Sequence, residues 1–179
     1  WPRAVTVAWP PMPRSFDMAA EYDGTVEQIR KAFGDERYWI ERLAQSGADE
    51  TTLDSITSDA SGGLAVITTQ TLRADRLPGV VTQFHRGDLS FVREETWTPV
   101  TDGCASAVLQ GLIPGAPATL TATAALTAAG TGSRLEFKAT VEVRIPLVGG
   151  KVENFIGSQL VDLLIAEQHF TTAWIRENA

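Results

Sequence analysis

The sequence predicts an α+β fold: a curved antiparallel sheet of six to seven strands wrapped around one long carboxy-terminal helix, with two short helices after the first strand. Three observations predict it. From Val152 to Trp174, Val152, Ile156, Leu163, Phe170 and Trp174 form one helical stripe, and a helix of that length spans about 35 to 40 Å. Just before it, Arg134 to Ile145 alternates strictly, with Leu135, Phe137, Ala139, Val141, Val143 and Ile145 on one face and polar residues on the other. Upstream, runs rich in Thr, Val and Ile are punctuated by turn residues such as Ala60-Ser61-Gly62, Thr101-Asp102-Gly103 and Pro114-Gly115-Ala116-Pro117.

In chain order, residues 1–14 read as a tail, because Pro2, Pro10, Pro11 and Pro13 break every apolar run before it reaches the length of a signal peptide. Met12 is a candidate natural start, which would make the preceding residues an extension; residues 15–179 are expected to form the folded domain. Ser15 to Tyr22 is the first strand, stopped by Asp23-Gly24. A helix follows from Thr25, burying Val26, Ile29 and Phe33, then a second from Glu36 to Ser46 with Trp39, Ile40 and Leu43 expected on its buried face. Thr51 to Asp59 and Gly63 to Leu72 form a hairpin. Leu77 to Gly87 reads as a short helical turn with exposed apolar residues, a candidate lid. Asp88 to Thr98, Cys104 to Ile113 and Ala118 to Thr127 are the next strands. In the last of these the inward set is Leu120, Ala122, Ala124 and Leu126, small enough to leave a cavity between sheet and helix.

Composition narrows the classes of function. With 44% hydrophobic and 21% charged residues the 179-residue chain is globular, and no apolar run suits a membrane span. A net charge of −7 with scattered Lys and Arg argues against nucleic acid as a partner. Cys104 alone makes no intramolecular disulfide, and with only His85 and His169 beside it no soft-metal cluster or cofactor is expected. The expected setting is cytoplasmic, as a monomer or weak dimer.

The element order, together with Phe33…Tyr38-Trp39, Leu77-Pro78, Arg93-Glu94-Glu95-Thr96-Trp97 and Ile145-Pro146-Leu147-Val148-Gly149-Gly150-Lys151-Val152-Glu153, resembles the helix-grip fold of the START and birch-pollen-allergen superfamily. Within it, those motifs are similar to an uncharacterised actinobacterial family, a domain of unknown function. The resemblance covers the chain from Ser15 onward and brings no enzyme signature. It implies a cavity for an apolar ligand, since relatives by fold bind sterols, phospholipids, polyketides or plant hormones, and others are cyclases or hydrolases.

Glu167 falls within the apolar stripe of the last helix, where a buried carboxylate needs a cation, a proton or water. If Leu89, Phe91, Arg93, Glu95 and Trp97 point inward, Arg93 is its counter-ion; the opposite orientation would bury Glu94 instead. The apolar lining is expected from Trp39, Phe91, Trp97 and Phe137 together with Val141, Ile156, Leu163 and Phe170. Arg93, Gln110, Gln159 and Glu167 are the candidate polar contacts. The leading expectation is binding of a lipid-like or polyketide-like molecule without turnover. The alternatives are a cofactor-free cyclase or hydrolase using Glu167 or Glu95 as acid or base, and a protein-interaction module presenting Leu77 to Phe84 or a sheet edge.

Overall fold

In the computed structural model, which describes residues 13–178, each strand or helix begins and ends close to the turn signals of the sequence. The order is β1 (Arg14–Tyr22), α1 (Val26–Phe33), α2 (Glu36–Ala44), β2 (Glu50–Ser58), β3 (Leu64–Leu72), α3 (Gly79–Thr82), β4 (Leu89–Trp97), β5 (Ala105–Leu112), β6 (Ala118–Ala129), β7 (Gly132–Val143) and α4 (Gly149–Asn178). Seven strands form one antiparallel sheet in the order β1-β7-β6-β5-β4-β3-β2. Because β1 joins beside β7, the first and last strands lie together and α4 packs chiefly on them. The reading of residues 1–14 as a tail falls largely on residues outside those described.

Local chemistry sets the elements. Thr25 caps α1 reciprocally with Gln28, and Asp35 caps α2 by accepting from the Arg37 amide. Ser133 Oγ, fully buried, donates to the Gly24 carbonyl at 2.8 Å and fastens the β1–α1 turn to β7. At Gly157 a Cβ would stand 2.1 Å from the Phe16 ring, so glycine allows α4 to sit directly on β1. Glu153, 3% exposed, pins the start of α4 to the sheet by accepting from the Val143 amide at 3.2 Å.

The concave face carries the alternation expected of β6 and β7: Leu120, Ala122, Ala124 and Leu126, then Leu135, Phe137, Ala139, Val141 and Val143, are all buried. Above them Phe33, Tyr38, Trp39, Phe170 and Trp174 make a continuous aromatic cluster joining α1, α2 and α4, with ring centroids 5.5 to 6.2 Å apart. One expectation fails on α2. Ile40 is 51% exposed, and the buried face is Tyr38, Trp39, Arg42 and Leu43. An arginine replaces the isoleucine because it has partners inside.

Candidate functional site

Those partners form a buried ion cluster. Arg93 and Glu95, two apart on β4, share the concave face, and Glu167 descends from α4. Arg93 Nη1 donates to Glu167 Oε1 at 2.7 Å and its Nη2 to Glu95 Oε1 at 3.1 Å. Arg42 Nη2, from α2, meets the same Glu167 Oε1. The Arg42 guanidinium also lies 4.6 Å from the Trp39 ring centroid, a cation–π contact away from water. Its Nη1 donates to the Tyr38 hydroxyl at 3.4 Å, and that hydroxyl lies 2.7 Å from Thr171 Oγ1, one helical turn beyond Glu167. Two guanidiniums and two carboxylates therefore balance, with side-chain exposures from 3% to 14%.

Burial works to raise the Glu167 pKa, but Arg42 and then Arg93 outweigh it and hold the carboxyl below its usual range. Desolvation likewise opposes the charge on Arg42, and Glu167 reverses that, leaving its pKa raised. Burial pushes the Tyr22 phenol upward, reinforced by Tyr38 and Glu167, so it stays protonated. A carboxylate clamped this way is a poor proton donor and a weak base at neutral pH.

Two spaces flank the cluster. An inner cavity of about 40 Å³ is bordered by Tyr22, Phe91, Trp97, Leu109, Phe137 and Leu164 among others. An outer cleft of about 430 Å³ lies between α2, the β3–β4 part of the sheet and α4, bordered by Trp39, Leu43, Gln70, His169, Phe170 and Trp174. Arg42, Arg93, Leu163 and Glu167 border both spaces. The interior is thus mostly filled by its own side chains, and only the cleft has the volume of a ligand site, about 300 to 1,000 Å³.

The expected site residues distribute unevenly. Phe91, Trp97 and Phe137 reach the inner cavity with Glu95, Trp39 and Phe170 reach the cleft, and Arg93, Leu163 and Glu167 touch both. Val141 and Ile156 pack into the core and border neither space. Two polar candidates are corrected. Gln110 is exposed on the convex face, because Ala105, Ala107, Leu109 and Gly111 turn β5 inward on the other parity. Gln159 is exposed on the outer side of α4. His169 stands exposed at the cleft, His85 Nε2 lies 3.0 Å from the Asp88 carbonyl, and Cys104 is exposed. Arg42, Tyr22 and Tyr38 were missed. The available signal was Arg42 one turn after Tyr38 on a face otherwise apolar.

A seven-stranded antiparallel sheet gripping a carboxy-terminal helix, with two short helices after the first strand, is the START and birch-pollen-allergen fold. The chain resembles the aromatase/cyclase Zhui from Streptomyces sp. R1128 with a TM-score of 0.63 at 4% identity, covering 93% of this chain and 95% of that one. Norcoclaurine synthase from Thalictrum flavum matches with a TM-score of 0.57 at 13% identity, covering 94% and 89%. A START superfamily protein from Mycobacterium smegmatis matches with a TM-score of 0.54 at 14% identity, covering 89% and 98%. Within that fold class the chain belongs to the family described as protein of unknown function DUF2505, whose model matches residues 17–175. The uncharacterized protein Rv0481c of Mycobacterium tuberculosis is 49% identical over 173 residues, 93% of this chain and 99% of its own length. Among the described residues no helix is long and apolar enough to cross a membrane.

Proposed function

We propose that this protein reversibly binds a small amphipathic molecule in the cleft between sheet and α4, its apolar body against Trp39, Phe170 and Trp174. The observation that carries the proposal is the ligand-sized cleft walled by Arg42, Arg93 and Glu167, three members of the buried ion cluster whose fourth, Glu95, lies on the inner side. Burial of apolar surface would supply affinity at about 25 cal/mol per Å², and the rim residues Gln70 and His169 would orient a polar end. Binding is favoured over turnover, since the one acid common to cleft and cavity is held ionised between two guanidiniums.

The test is a fluorescence titration with 1-anilinonaphthalene-8-sulfonate. Saturable emission at one site, lost in Leu163→Trp, which would place an indole against both spaces, is the expected result. Emission that never saturates, or that Leu163→Trp leaves unchanged, would refute the cleft as the seat.

A further inference from the structure

Leu147 is fully exposed, at 103%, and holds a left-handed backbone with a φ of 70°. It is the middle residue of a tight turn between β7 and α4, in which the Val148 amide donates to the Pro146 carbonyl at 2.9 Å. A branched aliphatic residue is strained in that conformation, and a glycine would fill the position freely. Here the side chain packs on nothing that would offset the strain, so the residue points to a role outside the fold.

Leu147 has company at the same end of the sheet. Leu72 pairs with Leu89, Leu112 with Thr119 and Ala118 with Val143, so the connections 73–88, 113–117 and 144–148 all leave the sheet at one end. The Arg144 amide ties the last two together by donating to the Pro117 carbonyl at 2.8 Å. Phe84, just after α3, is 44% exposed, and Leu112, closing β5, is 52% exposed. The chain has a net charge of −7, yet this end is basic. Residues 45–49, 73–88 and 144–151 hold five basic residues, Arg73, Arg76, Arg86, Arg144 and Lys151, against three aspartates. The turns at the opposite end, 23–25, 59–63 and 98–104, hold three aspartates and neither Lys nor Arg. Arg76 and Arg144 face Asp49 and Glu142 at 3.1 and 3.8 Å, whereas Arg73, Arg86 and Lys151 have no carboxylate partner among the described residues. Each apolar tip thus has its own free cation, Arg86 two residues after Phe84 and Lys151 four after Leu147.

We propose that this end of the sheet docks peripherally on an anionic phospholipid surface, with Leu147 and Phe84 inserted and Arg86 and Lys151 at the headgroups. A bilayer interface accepts apolar side chains singly and attracts Lys and Arg. A protein partner would call instead for one contiguous apolar patch. The proposal goes beyond the binding function above and does not depend on what the cleft holds.

The experiment is co-sedimentation of the full chain with vesicles of phosphatidylcholine and phosphatidylglycerol in equal parts, against vesicles of phosphatidylcholine alone, with thermal melting of each variant. The unaltered protein should pellet with the mixed vesicles, and less so as salt is added. Leu147→Gly should weaken that binding about ten- to a hundredfold, the loss of one inserted leucine, yet melt at the same temperature or higher because glycine takes the positive φ freely. Arg86→Gln and Lys151→Gln should each weaken it about fivefold. Failure to pellet with the mixed vesicles, equal binding to phosphatidylcholine alone, or binding that Leu147→Gly leaves unchanged overturns the proposal. A lower melting temperature for Leu147→Gly would give the side chain a structural role and overturn it as well. So would a dimer in sedimentation velocity that Leu147→Gly dissociates, which would assign this face to a second copy of the chain.

Discussion

Glu167→Gln tests the ion cluster most severely, because it removes one charge without changing shape. Arg42 and Arg93 would then share the single carboxylate of Glu95, leaving one uncompensated cation among side chains 3% to 14% exposed. Breaking a buried pair in this way costs about 3 to 5 kcal/mol. For a chain of 179 residues, at about 2 to 4 °C per kcal/mol, the melting temperature should fall by about 6 to 20 °C. Urea unfolding followed by tryptophan fluorescence and circular dichroism would measure it, with an unchanged m-value showing that the native state is intact. Adding Arg42→Met restores charge balance, so the double variant should lose less than the two single losses summed. A loss under about 1 kcal/mol in Glu167→Gln, or strict additivity, would refute a tightly coupled desolvated cluster.

The same carboxyl gives a pH signature. Its pKa is held below the ordinary 4.5, so its stabilisation is present in full above that value and lost as pH falls through the folded pKa; the stability gap between the native protein and Glu167→Gln should be flat at neutral pH and close on acidification, read by urea midpoints across pH. Gly111→Ala would put a Cβ 2.6 Å from the Phe91 ring; it should cost about 1 to 3 kcal/mol by overpacking, measured by denaturation. Tyr38→Phe removes a hydroxyl shared with Thr171 and Arg42 and should cost about 1 kcal/mol or somewhat more. Ile40→Ala, on the exposed face of α2, should stay within about 0.5 kcal/mol, whereas Trp39→Ala should cost about 3 to 5 kcal/mol.

Much of this architecture is legible in the sequence because its periods are clean. The strict alternation of β7 and the small inward residues of β6 fix the concave face, and the apolar stripe from Val152 to Trp174 announces α4, which begins three residues earlier at Gly149. The Arg93–Glu167 pair is legible for a related reason: a charged residue at an apolar position on each of two elements needs a partner, and each supplies the other. Gln110 was not legible. In β5 the inward set is Ala105, Ala107, Leu109 and Gly111, while Val108 and Leu112 stand outward, 58% and 52% exposed, so hydrophobicity does not distinguish the faces. Gln159 fails likewise, since Val161 and Ile165 also lie exposed and blur the helix stripe. Arg42 displaces Ile40 through a tertiary ion pair that no local period records. Nor could periodicity give the volume left inside, which depends on how Phe91 and Trp97 of β4 and Phe137 of β7 close on one another across the sheet.

Native mass spectrometry of the protein purified from its own source, beside Leu163→Trp prepared identically, tests ligand binding between sheet and helix most directly. The predicted result is a retained small molecule on the native protein that is absent from Leu163→Trp, with organic extraction yielding an amphipathic compound. A bare native protein that also fails to take up 1-anilinonaphthalene-8-sulfonate would contradict it.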